Sequence, residues 1–151
     1  MSAGGIKEGL TIPHMYKSQI HLASFDRSCC LFEAWYIWNG KELSRTSPYA
    51  SCCASAPLAF VACYRVNCAI PEYAQIDMSA SVENLLLEAD SLGLGAVWIG
   101  IAPIKDRMEA VGTVLNLPET LNAFAIIPCG YPKAVHAQQD RFDKKRIHYI
   151  L

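Results

Sequence analysis

The segment Asp77–Gly100 constrains the fold more than any other part of the chain, because a helical pattern runs into a glycine-rich turn and then into apolar residues. Four apolar side chains recur at offsets of three, four and seven, as on one face of an amphipathic helix: Val82, Leu85, Leu86 and Ala89. Asp77 can cap the start of this helix and Gly93 can end it. The pattern therefore predicts a helix that packs one face against a core.

The residues after this helix can bring the backbone close to a ligand. The segment Gly95–Gly100 reads GAVWIG, and a glycine has no side chain to hold a ligand away. A flat cofactor could lie against such a junction. The alternative is that Trp98 is a core aromatic while Gly93 and Gly95 only close the helix, which is how such residues usually behave.

Composition favours one domain and excludes several classes of partner. The chain has 151 residues and is 52% hydrophobic, which is enough apolar material for one core, so we expect a single domain over residues 1–151. A net charge of -1 offers no basis for binding nucleic acid. No run approaches the roughly 20 apolar residues of a membrane-spanning helix, and the N-terminus lacks the order of a signal peptide. We therefore expect a soluble, cytoplasmic protein without a membrane partner.

The seven cysteines are best interpreted as free thiols. Their number is odd, so a full disulfide framework would leave one unpaired, and a reducing compartment fits better. Cys63 and Cys129 lie inside apolar runs, where a free cysteine behaves as a small buried hydrophobe. The spacings do not match a paired CxxC zinc motif, and we predict no metal site. A redox or metal role is the alternative.

The remaining elements complete a mixture of helices and strands. The apolar run from Ala56 to Val66 predicts a strand buried on both faces at the centre of a sheet. Pro103 suits the first position of a second helix, which Pro118 would stop. Its apolar positions recur at helical spacing: Ile104, Met108, Val111 and Leu115.

A second apolar run, Asn122–Cys129, predicts another strand. The order strand, helix, helix, strand predicts an α/β (α+β) domain in which helices cover a mixed sheet. Residues 1–45 show no clean pattern, and the aromatic run at Trp35, Tyr36 and Trp38 fits either a strand or a loop.

Several stretches together resemble the nitroreductase-like family of FMN-dependent oxidoreductases. They are SPYASCCASAPLAFVACY (47–64), ENLLLEADSLGLGAVWIG (83–100), LNLPE (115–119), AFAIIPCGYPKA (123–134) and DRFDKKRIHY (140–149). The resemblance implies a nitroreductase-like fold, a homodimer, and FMN as cofactor with NAD(P)H as electron donor. It also implies that the oxidant is a small oxidised aromatic, such as a nitroaromatic or a quinone.

The same resemblance suggests which residues hold the flavin. It places six consecutive residues beside the flavin ring and its ribityl chain: Gly95, Ala96, Val97, Trp98, Ile99 and Gly100. Arg141 matches the family's late arginine, which contacts the flavin phosphate, and a planar guanidinium can bind two phosphate oxygens at once. The alternative is that Arg141 is one of several basic residues in a solvated tail. No catalytic side chain is predicted, because the flavin carries the chemistry in such enzymes.

The N-terminal third departs from the family pattern. Relatives open with an RRSxR-type motif for the phosphate and later carry a PSxxNxQPW-type segment, and neither is legible here. One explanation is a rebuilt N-terminus in which Lys17, Arg27 or Arg45 takes over the phosphate contact. A second is that the first forty or so residues come from a disrupted reading frame or a truncated gene. A third is a binding or regulatory protein that keeps the fold without flavin.

Overall fold

The computed structural model describes residues 32–37, 40–134, 137 and 140–150, with side chains from Gly40 onward. The predictions made for Lys17, Arg27 and Trp38 lie outside these residues, as do two of the seven cysteines, Cys29 and Cys30. Neither helix in the described part of the chain combines the length and apolar character needed to cross a membrane.

Five strands form one sheet whose described pairings are all antiparallel. They are β1 (Phe32–Ile37), β2 (Leu58–Arg65), β3 (Gly95–Ala96), β4 (Ile99–Gly100) and β5 (Leu121–Gly130). β1 pairs with β2, β2 pairs with β5, and both β3 and β4 pair with the far side of β5. The predicted central position of β2 is confirmed, and β5 matches its prediction to within one residue at each end.

The side chains of β2 alternate between two cores, one on each face of the sheet. Leu58, Phe60, Ala62 and Tyr64 belong to the first core, and Ala59, Val61 and Cys63 belong to the second. Successive side chains of a strand point to opposite faces, so a strand with both faces covered becomes apolar throughout. The predictions that Cys63 and Cys129 are buried are confirmed.

Helix α1 (Ala74–Ser91) covers the first core. The predicted face is confirmed: Val82, Leu85 and Ala89 are buried, and Leu86 is half-buried against the same core. The predicted start at Asp77 is wrong, because the short turn Pro71–Tyr73 leads directly into the helix. Asp77 lies in the first turn instead, where its carboxylate still interacts favourably with the helix dipole.

Gly93 ends α1 as predicted. It adopts φ +71°, the left-handed conformation that glycine tolerates best, and its N–H donates to the Asp90 carbonyl at 2.9 Å. The N–H of Leu94 reaches back to the Ala89 carbonyl, also at 2.9 Å. These two bonds satisfy carbonyls at the helix end and turn the chain toward β3.

Helix α2 (Lys105–Leu115) lies over the second core, where Val111 is buried. The predicted start at Pro103 is wrong by two residues, because Ile104 is extended and precedes the first helical residue. The helix ends before Pro118, as expected, but the stop is made by Asn116. That residue adopts φ 50°, and the N–H of the following Leu117 donates to the Gly112 carbonyl at 2.9 Å.

Residues 94–100 are where the predicted order of elements is incomplete. The prediction passed from the first helix to the second with no strand between them, whereas β3 and β4 lie there and add to the sheet. The predicted α+β fold is otherwise confirmed, with a helix on each face of the sheet. The sheet was predicted to be mixed, but its described pairings are all antiparallel.

Candidate functional site

The candidate flavin-lining segment, Gly95–Gly100, is held at the edge of the sheet by two short ladders. Gly95 and Ala96 pair with Gly130 and Cys129, and Ile99 and Gly100 pair with Ile126 and Ala125. Val97 and Trp98 lie between the two ladders. The backbone of the segment is therefore fixed by β5, a strand more than twenty residues further along the chain.

The side chains of this segment point to different environments. Gly95, Val97 and Gly100 are exposed, and half of the Val97 side chain is accessible. Ile99 is buried in the second core, so only its backbone could contact a ligand. Trp98 is half-buried and packs against the first core. A bound molecule would therefore meet mainly backbone here, together with Val97.

Gly100 has open space beside it. A Cβ placed on Gly100 meets no atom within 4 Å, whereas one placed on Gly95 contacts the Gly130 carbonyl oxygen at 3.6 Å and Pro132 at 3.8 Å. A flat group can therefore approach the backbone of Gly100 closely. The open space fits the flavin ring that the resemblance places at this segment.

Arg107, on α2, contacts the same segment. Its Nη1 donates to the Gly100 carbonyl oxygen at 3.2 Å, and its Cζ lies 5.5 Å from the centroid of the Tyr49 ring. Neither Arg107 nor Tyr49 was predicted from the sequence as a site residue. In the sequence, Arg107 lies seven residues after Gly100. That separation does not predict a contact unless the path of the turn between the two residues is known.

Arg141, the predicted phosphate contact, lies in an exposed tail that spans 140–150. Two aspartates give this tail local order: the N–H of Phe142 donates to Asp140, and the N–H of Lys145 donates to Asp143, each at 3.0 Å. Arg146 forms an exposed ion pair with Asp143 at 3.6 Å. Arg45, an alternative phosphate contact, is also exposed, at the end of a short turn.

Two buried thiols, Cys53 and Cys129, do not provide a reactive nucleophile. Burial, reinforced by the neighbouring Cys52, raises the pKa of Cys53 to about 11, and burial also raises the pKa of Cys129. Both thiols are therefore protonated near neutral pH, and a protonated thiol is a poor nucleophile. Among the described residues, no group of three or more His, Cys, Asp and Glu side chains could hold a metal ion.

The antiparallel sheet, the helix on each face and the glycine-flanked backbone segment at the sheet edge define an α+β protein of the nitroreductase type. The model of the nitroreductase family matches residues 45–131, more than half of the chain. The chain belongs to the nitroreductase family.

Relatives agree with this assignment. A protein of Methanothermobacter thermautotrophicus, whose name proposes an NADH dehydrogenase/NAD(P)H nitroreductase, is 38% identical over 109 residues. That alignment covers 72% of this chain and 57% of the relative. The chain spans about half the length of the curated relatives that it matches.

Solved structures share the fold. A crystal structure from Clostridium acetobutylicum, named for an NADH oxidase, superposes with a TM-score of 0.73 at 38% identity. The superposition covers 78% of this chain and 74% of that chain. An FMN-dependent nitroreductase of Clostridium difficile R20291 gives a TM-score of 0.71 at 22% identity, covering 85% of this chain and 80% of that one. At that identity the similarity concerns the fold alone.

Proposed function

We propose that this protein is an FMN-dependent oxidoreductase that passes electrons from NAD(P)H to small oxidised aromatics such as nitroaromatics and quinones. The observation that carries the proposal is the open space beside Gly100. Gly100 lies within the family match at residues 45–131, in the segment that the resemblance places beside the flavin ring. The name of the Methanothermobacter relative supports NAD(P)H as the electron donor.

In this proposal, the chain binds and orients the cofactor. The backbone of Gly95–Gly100 would lie against the flavin ring, and the Trp98 backbone would be held there by the packing of its indole on the core. Arg141 would neutralise the flavin phosphate through its exposed guanidinium. When bound, FMN supplies the redox chemistry, since it exchanges electrons with both a nicotinamide and an organic oxidant.

We also propose that the protein is a homodimer, in which a second copy covers the outer face of α1. Ile76 and Leu87 are exposed by 62% and 61%, and they lie three helical turns apart on the side opposite the buried face. Contiguous exposed apolar patches mark interaction surfaces, and we propose that these two side chains belong to such a contact.

We propose that the protein is cytoplasmic. Five described cysteines form no disulfide, which supports a reducing compartment.

Absorbance spectroscopy of the purified protein tests the proposed activity. We expect a yellow protein, or a colourless one that becomes yellow when FMN is added and excess cofactor is removed. Its flavin absorbance should bleach when NADH or NADPH is added without oxygen and return when a quinone follows. Failure to take up FMN would contradict the proposal.

The alternative is a nitroreductase-like binding or regulatory protein without flavin. It is favoured by one observation, that the family match begins only at residue 45 and leaves the N-terminal third unmatched. Measurable affinity for another ligand or a partner chain, with no flavin uptake and no electron transfer, would support this alternative.

A further inference from the structure

Arg107 ties the first part of α2 to the last ladder residue of β4. Its guanidinium donates to the Gly100 carbonyl oxygen at 3.2 Å. Beyond Gly100 the ladder changes, because the N–H groups of Ile101 and Ala102 both donate to the single carbonyl of Phe124, at 3.2 Å and 2.9 Å. The peptide that follows Gly100 is therefore held by Phe124 on its N–H side and by Arg107 on its carbonyl side.

The fold itself does not require the Arg107 bond. Gly100 is exposed, so water can bind its carbonyl when the guanidinium is absent. A hydrogen bond that replaces a bond to water contributes little net stability. What the bond does supply is a defined orientation of the Gly100 peptide.

Tyr49 restricts the guanidinium from another side. It lies in the loop before β2, and its ring is 5.5 Å from Cζ of Arg107. A cation over an aromatic face is attracted to it, and a planar guanidinium can stack there while its N–H groups bond in its own plane. The loop before β2, helix α2 and strand β4 thus meet at one side chain.

We propose that Arg107 is a positioning residue for the cofactor: it fixes the Gly100 peptide where the flavin ring would lie. This role depends on the proposed flavin function. Because a guanidinium is permanently charged, Arg107 also places a positive charge beside this backbone and favours the electron-rich, reduced form of a bound flavin.

Three variants of the full chain test the proposal. Arg107→Met removes the charge and the hydrogen bonds, and Arg107→Lys keeps the charge but loses the planar group. Lys105→Met removes an exposed cation two residues earlier on the same helix and is the matched control. We would measure the dissociation constant for FMN, the midpoint potential of the bound flavin, and the thermal unfolding midpoint of the flavin-free protein.

We expect Arg107→Met to weaken FMN binding about tenfold and to make the midpoint potential more negative. Arg107→Lys should keep the potential near that of the wild type while binding FMN more weakly, and Lys105→Met should match the wild type in both measurements. The unfolding midpoint of the flavin-free protein should change by no more than about 2 °C in each variant. Wild-type affinity and potential in Arg107→Met would overturn the proposal.

Amide hydrogen exchange in the flavin-free protein gives a second readout. Loss of Arg107 should accelerate exchange at Ile101 and Ala102, whose N–H groups share the Phe124 carbonyl. Unchanged exchange at both amides would also overturn the positioning role. Wild-type protein that takes up no FMN would instead overturn the proposed function, and this role with it, so the two failures are distinguishable.

Discussion

The indole ring of Trp98 lies 5.6 Å, centroid to centroid, from the ring of Phe124, and the two planes are tilted by 57°. Phe124 belongs to the core that α1 covers, and the half-buried Trp98 side chain packs against that core. The sequence allowed two roles for Trp98, a core aromatic or a residue beside the flavin, and the structure shows its side chain packing on the core. If Trp98 contacts a flavin as proposed, that contact would come from its backbone.

We therefore expect Trp98→Ala to reduce the free energy of unfolding of the flavin-free protein by about 2–3 kcal/mol, since it removes a large half-buried aromatic and leaves a cavity. Urea unfolding measures the change. Val97→Ala is the matched control, because the neighbouring side chain is half exposed and should cost less than about 0.5 kcal/mol. Equal effects of the two substitutions would contradict the packing role.

A second prediction concerns Gly100. Since a Cβ there meets no atom within 4 Å, Gly100→Ala should change the free energy of unfolding by less than about 0.5 kcal/mol. The added methyl group would occupy the space proposed for the flavin ring, so FMN affinity should fall at least about tenfold. Fluorescence titration with FMN measures this loss.

Gly112→Ala is the control for that experiment. Gly112 lies inside α2, and its Cβ position is also open, so alanine should stabilise the helix by about 0.5–1 kcal/mol. FMN affinity should remain at the wild-type value. Tight FMN binding by Gly100→Ala would contradict the proposal that the flavin ring lies against this segment.

A third prediction concerns alkaline pH. The pKa of Cys53 rises from an ordinary value of 9.0 to about 11 in the folded chain, chiefly because of burial. Above about pH 9 the thiol loses its proton in the unfolded chain but keeps it in the folded chain. The contribution of this thiol to the free energy of unfolding should therefore be constant below about pH 9 and should fall between about pH 9 and pH 11. Each pKa unit corresponds to about 1.4 kcal/mol.

Urea unfolding at several pH values from about 8 to about 11, a range that includes the expected fall, measures the slope. Cys53→Ala should reduce the slope, whatever its effect on stability at neutral pH. Cys68→Ala, a substitution of a half-buried cysteine outside this contact, should leave the slope near that of the wild type. Identical slopes in all three proteins would show that Cys53 does not titrate as proposed.

A fourth prediction concerns the outer face of α1. The double substitution Ile76→Glu and Leu87→Glu places two charges on the proposed dimer contact, where burying an unpaired charge is costly. We expect a monomer by sedimentation at concentrations where the wild type is a dimer. Leu92→Glu, at an exposed leucine beyond the end of the helix, should leave the dimer intact. A wild-type protein that sediments as a monomer would contradict the proposed homodimer.

Local patterns were enough to predict the main elements. β2 and β5 were visible as apolar runs of strand length, and the buried face of α1 was visible in the spacing of Val82, Leu85 and Ala89. The errors lay at helix starts and at residues 94–100, where the two short strands β3 and β4 were not predicted. Asp77 and Pro103 are residue types that suit the start of a helix. The first helical residue also depends on the conformation of the backbone before it, which the local sequence pattern does not predict.

The contacts of the candidate site, unlike the main elements, could not be predicted from local patterns. The sequence by itself determined that Gly95–Gly100 is apolar, glycine-flanked and typical of the family, because these are properties of neighbouring residues. Only the tertiary structure decided that β5 holds this segment, that Trp98 packs on Phe124, and that Arg107 reaches Gly100. Each of these contacts joins residues brought together by turns and strand pairing, and such contacts arise from the packing of the whole chain.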